Sequence, residues 1–164
     1  MSASKNQGIV LEELINVEGA PPSLAPNEKP ISVAIAVVQE NGRFLVGVRP
    51  AGVPLAGLAE FPGGKVNADE IPEVAAVREC REETGLIVEV VGKYNSTIHR
   101  YEHGLLEIHF FRCRPVAAGS ICLPPDSPFR WITAAELATL EFPAANRPLT
   151  QQLLRSAGVF ALRP

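Results

Sequence analysis

The chain has 164 residues, of which 46% are apolar and 20% charged. That is the balance of one globular domain, and it excludes disordered and fibrous classes. Fifteen Lys and Arg against 18 Asp and Glu leave a net charge of −3, so no polybasic surface argues for a nucleic-acid polymer or an anionic membrane as partner.

The three cysteines, Cys80, Cys113 and Cys122, include no CxxC pair. This argues against a disulfide framework or a structural zinc, and for a reducing cytoplasm. No apolar run approaches the roughly 18 residues that a membrane-spanning helix needs. The N-terminus lacks the charged and apolar regions of a secretory signal.

Residues 1–30, with Ser, Asn and Pro clusters ending in Pro21-Pro22-Ser23-Leu24-Ala25-Pro26, read as an N-terminal arm that precedes a domain over 31–164. Gly8 to Val17 is expected to form one short strand or helix. The β-branched run Ser32–Val38 predicts a strand buried on both faces. Asn41-Gly42 predicts a two-residue hairpin, with Phe44–Val48 as the returning strand. A loop rich in Pro and Gly follows over 50–58, and Glu60–Lys65 is expected as one short extended piece ending in a turn. Residues 71–84 predict a helix, with Pro72 in its first turn and Gly85 as its stop.

Val- and Ile-rich residues 86–98 predict a strand. Tyr101-Glu102-His103-Gly104 is expected to turn into another strand over Leu105–Cys113, and Phe129–Ile132 into a last one. Thr133-Ala134-Ala135-Glu136 carries the signature of a capping box, and Pro148 opens a final helix over 148–156. The expected architecture is therefore α/β, a mixed sheet with helices packed on it.

The helix over 71–84 carries the chemistry. Glu79, Glu82 and Glu83 stand at i, i+3 and i+4, so their carboxylates converge on one side. Val74 and Val77, with Cys80 at the edge, are expected to face the core from the opposite side. Ala75 and Ala76 flank the acids and let another element approach closely. Three close carboxylates repel one another, and they sit near a helix C-terminus that disfavours anions. A hard divalent cation, Mg²⁺ or Mn²⁺, relieves both penalties; a solvated Glu-rich face with Arg78 paired to Glu82 is the simpler alternative. Upstream, Gly63-Gly64-Lys65 offers a sharp turn open to a phosphate, with a cation beside it.

Gly64, Glu70, Arg78, Glu79, Glu82, Glu83 and Gly85, with apolar residues at Cys80 and Leu86, match the Nudix box without a break. The chain resembles the Nudix hydrolases. Its Arg49, Glu60-Phe61-Pro62-Gly63-Gly64-Lys65, Trp131-Ile132 with Glu136-Leu137, and Phe142-Pro143-Ala144-Ala145-Asn146 are similar to the MutT branch, which sanitises oxidised nucleoside triphosphates. The resemblance implies the Nudix fold, an α/β/α sandwich around a mixed sheet. It implies that Glu79, Glu82, Glu83 and the Gly63 carbonyl bind Mg²⁺ or Mn²⁺. Glu79 would activate the water, Arg78 would hold the acids in place, and Arg49 and Lys65 would contact the phosphates. The backbone near Phe61 and the Asn146 carboxamide would read the base.

The implied function is hydrolysis of a nucleoside triphosphate such as 8-oxo-dGTP to the monophosphate and pyrophosphate. Alternatives are action on ADP-ribose or a dinucleotide, or nucleotide binding without turnover. The expected partner is a nucleotide, and the chain is expected to be a monomer or a homodimer.

The sequence departs from the branch at Ala59, where an aromatic is usual, at Ala144 and at Arg130. The resemblance also implies a further metal-binding acid, for which Asp126 is the nearest candidate and Glu107 a second. Asn146 is alternatively a helix cap and Arg49 a surface residue; Trp131 is expected in the core rather than against a base. His99, His103 and His109 lack ligand spacing and are expected to be structural or exposed.

Overall fold

Residues 32–38 form the middle of β1 (Ile31–Glu40) in the computed structural model, which describes residues 25–49, 51–52, 56–101, 104–117 and 122–159. The element expected at Gly8–Val17 and the Glu102–His103 turn lie outside these. Asn41 and Gly42 both take positive φ (48° and 75°), and the chain returns at once as β2 (Arg43–Val48), with Glu40 opposite Arg43. Two left-handed residues match the twist of the flanking strands, which is why Asn-Gly occupies this loop.

The piece expected as one extended segment is two strands. β3 (Ala59–Glu60) pairs with β2, and β4 (Gly63–Lys65) pairs with β1. Pro62 marks the change of partner, its carbonyl accepting the Ala36 N–H at 2.8 Å. The strand expected over 86–98 is likewise broken. β5 (Val88–Lys93) and β6 (Thr97–Tyr101) lie along one edge of the long β7 (Gly104–Pro115). A bulge between Val90 and Gly92 and the polar Asn95-Ser96 break the run, because glycine and turn residues interrupt a ladder.

β8 (Phe129–Thr133) pairs with β2. β1 and β7 pair in parallel from Ile31–Leu106 to Val38–Cys113, and the other pairings are antiparallel. The sheet is thus mixed, as expected.

Helix α1 (Pro72–Thr84) covers one face of the sheet; α2 (Ala134–Leu137) and α3 (Arg147–Ser156) cover the other. β1 divides its side chains between them, Ala34, Ala36 and Val38 toward α1 and Val33 and Val37 toward the other helices. The predicted signals hold at the helix ends. Gly85 stops α1 at φ 76°, and its N–H donates to the Arg81 carbonyl. The Thr133 hydroxyl accepts the Glu136 N–H at 3.2 Å while the Glu136 carboxylate accepts the Thr133 N–H at 2.7 Å. α3 begins at Arg147, after a 3₁₀ turn at Ala144–Asn146.

The expected buried face of α1 is corrected. Val74 is 53% exposed, Val77 is only partly buried, and the buried positions are Ala75, Ala76, Cys80 and Thr84. The acidic side turns inward onto β4, so the small residues beside it make the contact. Ala34 and Ala36 on the sheet meet Ala75 and Ala76 on the helix, and that removal of side-chain bulk lets the helix lie close. Among the described residues no helix is long and apolar enough to cross a membrane.

Candidate active site

Arg78 is the hub of the site. Its Nε donates to Glu70 Oε1 at 2.7 Å, and its Nη2 donates to Glu70 Oε2 at 2.8 Å and to the Lys65 carbonyl at 2.9 Å. Its Nη1 donates to Glu79 Oε1 at 2.7 Å and to Glu82 Oε2 at 3.2 Å. The guanidinium thus joins the end of β4, the turn before α1 and two of the three helix carboxylates. The fork at Glu70 is bidentate, the strongest common geometry for such a pair. Hydrogen bonding to Glu70, and then to Glu79, raises the Arg78 pKa above its already high value. The same pairing, aided by the Asn67 N–H at 2.9 Å, holds the Glu70 carboxyl below its usual range.

The sequence pattern contains Glu70 but does not reveal its role. Seven residues separate it from Arg78, and only the turn at 66–71 brings them together. The solvated-face alternative holds in part: Arg78 does pair with Glu82, whose side chain is 54% exposed, and Glu83 is exposed as a residue, but the Glu79 side chain is only 17% exposed.

Glu83 takes a different partner. Its Oε2 accepts the Gly63 N–H at 2.9 Å. The carboxyl is pushed up to about 8, first by burial, against the pull of that N–H, and further by Glu60, Glu79 and Glu82. As a residue Glu83 still has an exposed surface. Ala36 and Val66 bond across the ladder to Pro62 and Ser32. The alternation of an antiparallel pair then turns both the N–H and the carbonyl of Gly63 away from β1, toward Glu83. A Cβ on Gly64 would lie 2.6 Å from both Glu79 carboxylate oxygens, so only glycine lets that carboxylate rest against β4.

This donor set fits a hard divalent ion. It offers carboxylate and carbonyl oxygens alone, with a carboxyl whose pKa is raised first by burial and then by neighbouring carboxylates, whose charge a cation would offset. Among the described residues no three His, Cys, Asp or Glu side chains converge as a ready-made cage. Mg²⁺ does not require one, because it binds through one or two carboxylates and keeps waters or phosphate oxygens for the rest.

The remaining candidates surround this face. Arg49 follows β2, and its side chain is 9% exposed, 3.6 Å from Glu60, which rules out the surface alternative. Phe61 is buried and stacks on Phe142 at 4.9 Å between ring centroids. Asn146 stands at the end of the 3₁₀ turn, in the N-cap position of α3 as the capping alternative has it, but its side chain makes no capping hydrogen bond. Lys65 is exposed at the end of β4.

Trp131 packs partly buried against the cluster under α1. Asp126 is exposed in a turn, and Glu107 lies 3.6 Å from His109; neither is among the carboxylates bound to Arg78. The acid that does act on the helix carboxylates, and that the sequence reading passed over, is Glu60.

A NUDIX domain profile matches residues 33–152. The chain is 33% identical to the CTP pyrophosphohydrolase of Escherichia coli K12 over 77% of its length and 93% of that protein's. It is 27% identical to the 8-oxo-dGTP diphosphatase of the same organism over 77% of its length and 98% of that protein's. The solution structure of the E. coli ORF135 protein superimposes with a TM-score of 0.63 at 30% identity, over 82% of this chain and 97% of that one.

Proposed function

Because the chain belongs to the Nudix hydrolase family, we propose that it hydrolyses a nucleoside triphosphate to the monophosphate and pyrophosphate, with an oxidised purine nucleotide such as 8-oxo-dGTP as preferred substrate. The observation that carries this reading is the network in which Arg78 ties Glu70, Glu79 and Glu82 to the end of β4 while Gly63 holds Glu83. A pure binding module has no need of three carboxylates on one helix, nor of a glycine that makes room for one of them.

Glu79, Glu82, Glu83 and the Gly63 carbonyl would hold Mg²⁺ or Mn²⁺, as Nudix hydrolases generally use divalent ions. When bound, such an ion supplies charge neutralisation and a more acidic water. The residues of the chain do the rest. Glu79, half-buried against Gly64, orients the attacking water and accepts its proton at the carboxylate. Arg78 keeps that carboxylate in one position. Lys65 and Arg49 meet the phosphates, whose charge grows toward the transition state. Asn146, not engaged as a cap, offers a donor and an acceptor to a base edge, and the backbone at Phe61 supplies the facing contact. We place the protein in the cytoplasm as a monomer or homodimer; its free thiols at Cys80, Cys113 and Cys122 support a reducing compartment.

A second reading, pyrimidine triphosphate hydrolysis, is favoured by the 33% identity to the CTP pyrophosphohydrolase. A panel of 8-oxo-dGTP, dGTP, CTP, ADP-ribose and a dinucleotide with Mg²⁺ separates the readings. Pyrophosphate release with 8-oxo-dGTP preferred supports the first, and a CTP preference the second. Orthophosphate release, turnover confined to ADP-ribose or the dinucleotide, or binding without turnover overturns both.

A further inference from the structure

Phe142 belongs to no strand or helix, yet it joins the two groups assigned to the base. Its ring stacks on that of Phe61 at 4.9 Å between centroids and 25° between planes, within the range that aromatic pairs favour. The backbone beside it is tied to the same strand, because the Ala59 N–H donates to the Glu141 carbonyl at 2.7 Å. One hydrogen bond and one ring pair thus fix residues 141 and 142 to β3 and to Phe61 beyond it.

From there the path to Asn146 has few free torsions. Pro143 is buried at φ −51° and ψ 146°, with its φ locked by its own ring. The Asn146 N–H donates to the Pro143 carbonyl at 2.9 Å and closes the 3₁₀ turn. Ala145 and Leu149, on either side of Asn146, are buried in the cluster that holds Phe61. Asn146 itself is half-buried, and its carboxamide makes no cap to α3. The position of that carboxamide is therefore set by how residues 142–145 are held. Of these four, only Ala144 has neither a ring nor full burial.

We propose that Phe142 is a positioning residue for base selection: its stack on Phe61 holds the turn that presents the Asn146 carboxamide in fixed relation to the Phe61 backbone. This rests on the reading of Asn146 and the Phe61 backbone as the base contacts. A carboxamide meets a base edge through a donor and an acceptor at once, so it discriminates only when both are in place. The stack fixes both before the nucleotide arrives, and less ordering remains to be done on binding. It touches none of the carboxylates bound to Arg78, so its effect falls on selectivity rather than on turnover.

The test compares the full chain as wild type, F142L, N146A, F142L/N146A and F142L/A144P. F142L keeps an apolar side chain in the cluster and removes the ring pair. Ala144 opens the turn and follows a residue of extended ψ, a place that accepts proline, so A144P restores restraint by another means. Each chain is measured for affinity toward 8-oxo-dGMP, dGMP and CMP, for kcat on the preferred triphosphate, for Tm, and for hydrogen exchange of the Asn146 N–H. F142L is expected to speed that exchange and to shrink the ratio of tightest to weakest affinity by ~10-fold, the scale of one misplaced hydrogen-bond pair, with kcat within ~2-fold. In the N146A background the same change is expected to move the ratio by less than ~2-fold. A144P is expected to recover part of both losses.

An unchanged Asn146 exchange rate in F142L overturns the proposal. So does an equal loss of selectivity with and without Asn146, or a fall in kcat and in all three affinities alike, which would leave Phe142 a purely structural part. Equal wild-type affinity for the three monophosphates overturns the reading of Asn146 as a base contact instead. The exchange rates of F142L and F142L/A144P still decide in that case whether Phe142 holds the turn.

Discussion

At the scale of single residues, the site depends on one missing side chain. Gly64 is needed because the Glu79 carboxylate occupies the place where a Cβ would go, 2.6 Å from either oxygen. The obstacle is the far end of a flexible side chain rather than backbone, so G64A is expected to fold with Tm within a few degrees of wild type. It should nevertheless displace Glu79 and lower kcat by ~100-fold or more, approaching the loss expected of E79Q, since a positioned base contributes about 10²–10⁴. Parallel turnover and melting measurements check this, and a G64A variant with wild-type kcat would remove Glu79 from the water-activating role.

The residues of the pattern were legible in the sequence because their spacing is set by one helix and one turn. The roles of Glu70 and Glu60 were not. Each acts on an arginine that the chain brings near only through the turn at 66–71 or the pairing of β2 with β3, and no periodicity reports either.

Elements were legible at their ends and less so on their faces. Pro72, Gly85 and the Thr133–Glu136 box mark helix boundaries by local chemistry, which survives any tertiary context. The inward face of α1 was misread because valine is more apolar than alanine. What decided the packing was the need to bring Glu79 and Glu83 onto β4, and the alanines beside them were small enough to allow it. The stop at Gly85 can be tested directly. At φ 76° an alanine is strained, so G85A is expected to cost about 1 kcal/mol, measured by urea denaturation. Nothing lies within 4 Å of a Cβ there, so the cost is conformational and the metal-dependent activity should persist. Loss of activity with unchanged stability would show that the end of α1 serves the site directly.

For the whole molecule, the net charge of −3 conceals a local concentration. Residues 69–83 hold six acids and two bases, a local −4, and the rest of the chain sums to +1. This makes stability depend on pH and on cations in a predictable direction. In the metal-free protein the Glu83 carboxyl titrates near 8, whereas its ordinary value is 4.5. Between those values the folded state binds the extra proton, so this group's contribution to stability falls as pH rises through the window. Glu70, whose pKa is lowered, contributes stability above its ordinary 4.5 that is lost as pH falls below it.

Saturating Mg²⁺ displaces the proton from Glu83 and stabilises the folded state by mass action. The gain in Tm on adding Mg²⁺ is therefore expected to grow from pH 5 to pH 8. In E83Q the metal-free decline across that range should flatten. Melting curves with EDTA and with Mg²⁺ check both, and a Mg²⁺ effect that shrinks as pH rises would contradict the account.

The mixed sheet and its two helical layers were expected from the order of elements, but the pairing that organises them was not. Parallel alignment of β1 with β7 joins segments whose own sequences carry no mark of each other, and the break at Asn95-Ser96 is needed so that β5 and β6 can share one edge of β7.

That parallel alignment also sets a schedule. Residues 31–38 find their partners at 106–113, 75 positions later in the chain. A ribosome must therefore have released the chain as far as residues 106–113 before β1 can close its second edge. Until then β4, the glycine turn and the acidic helix have only one side of their supporting strand in place. Contacts this distant in sequence slow folding, and they leave strand edges open to other chains while the protein waits. The half-made molecule carries its full complement of helix carboxylates on an unfinished sheet, so competence for hydrolysis comes late in its synthesis, with the arrival of a strand that contributes none of those carboxylates.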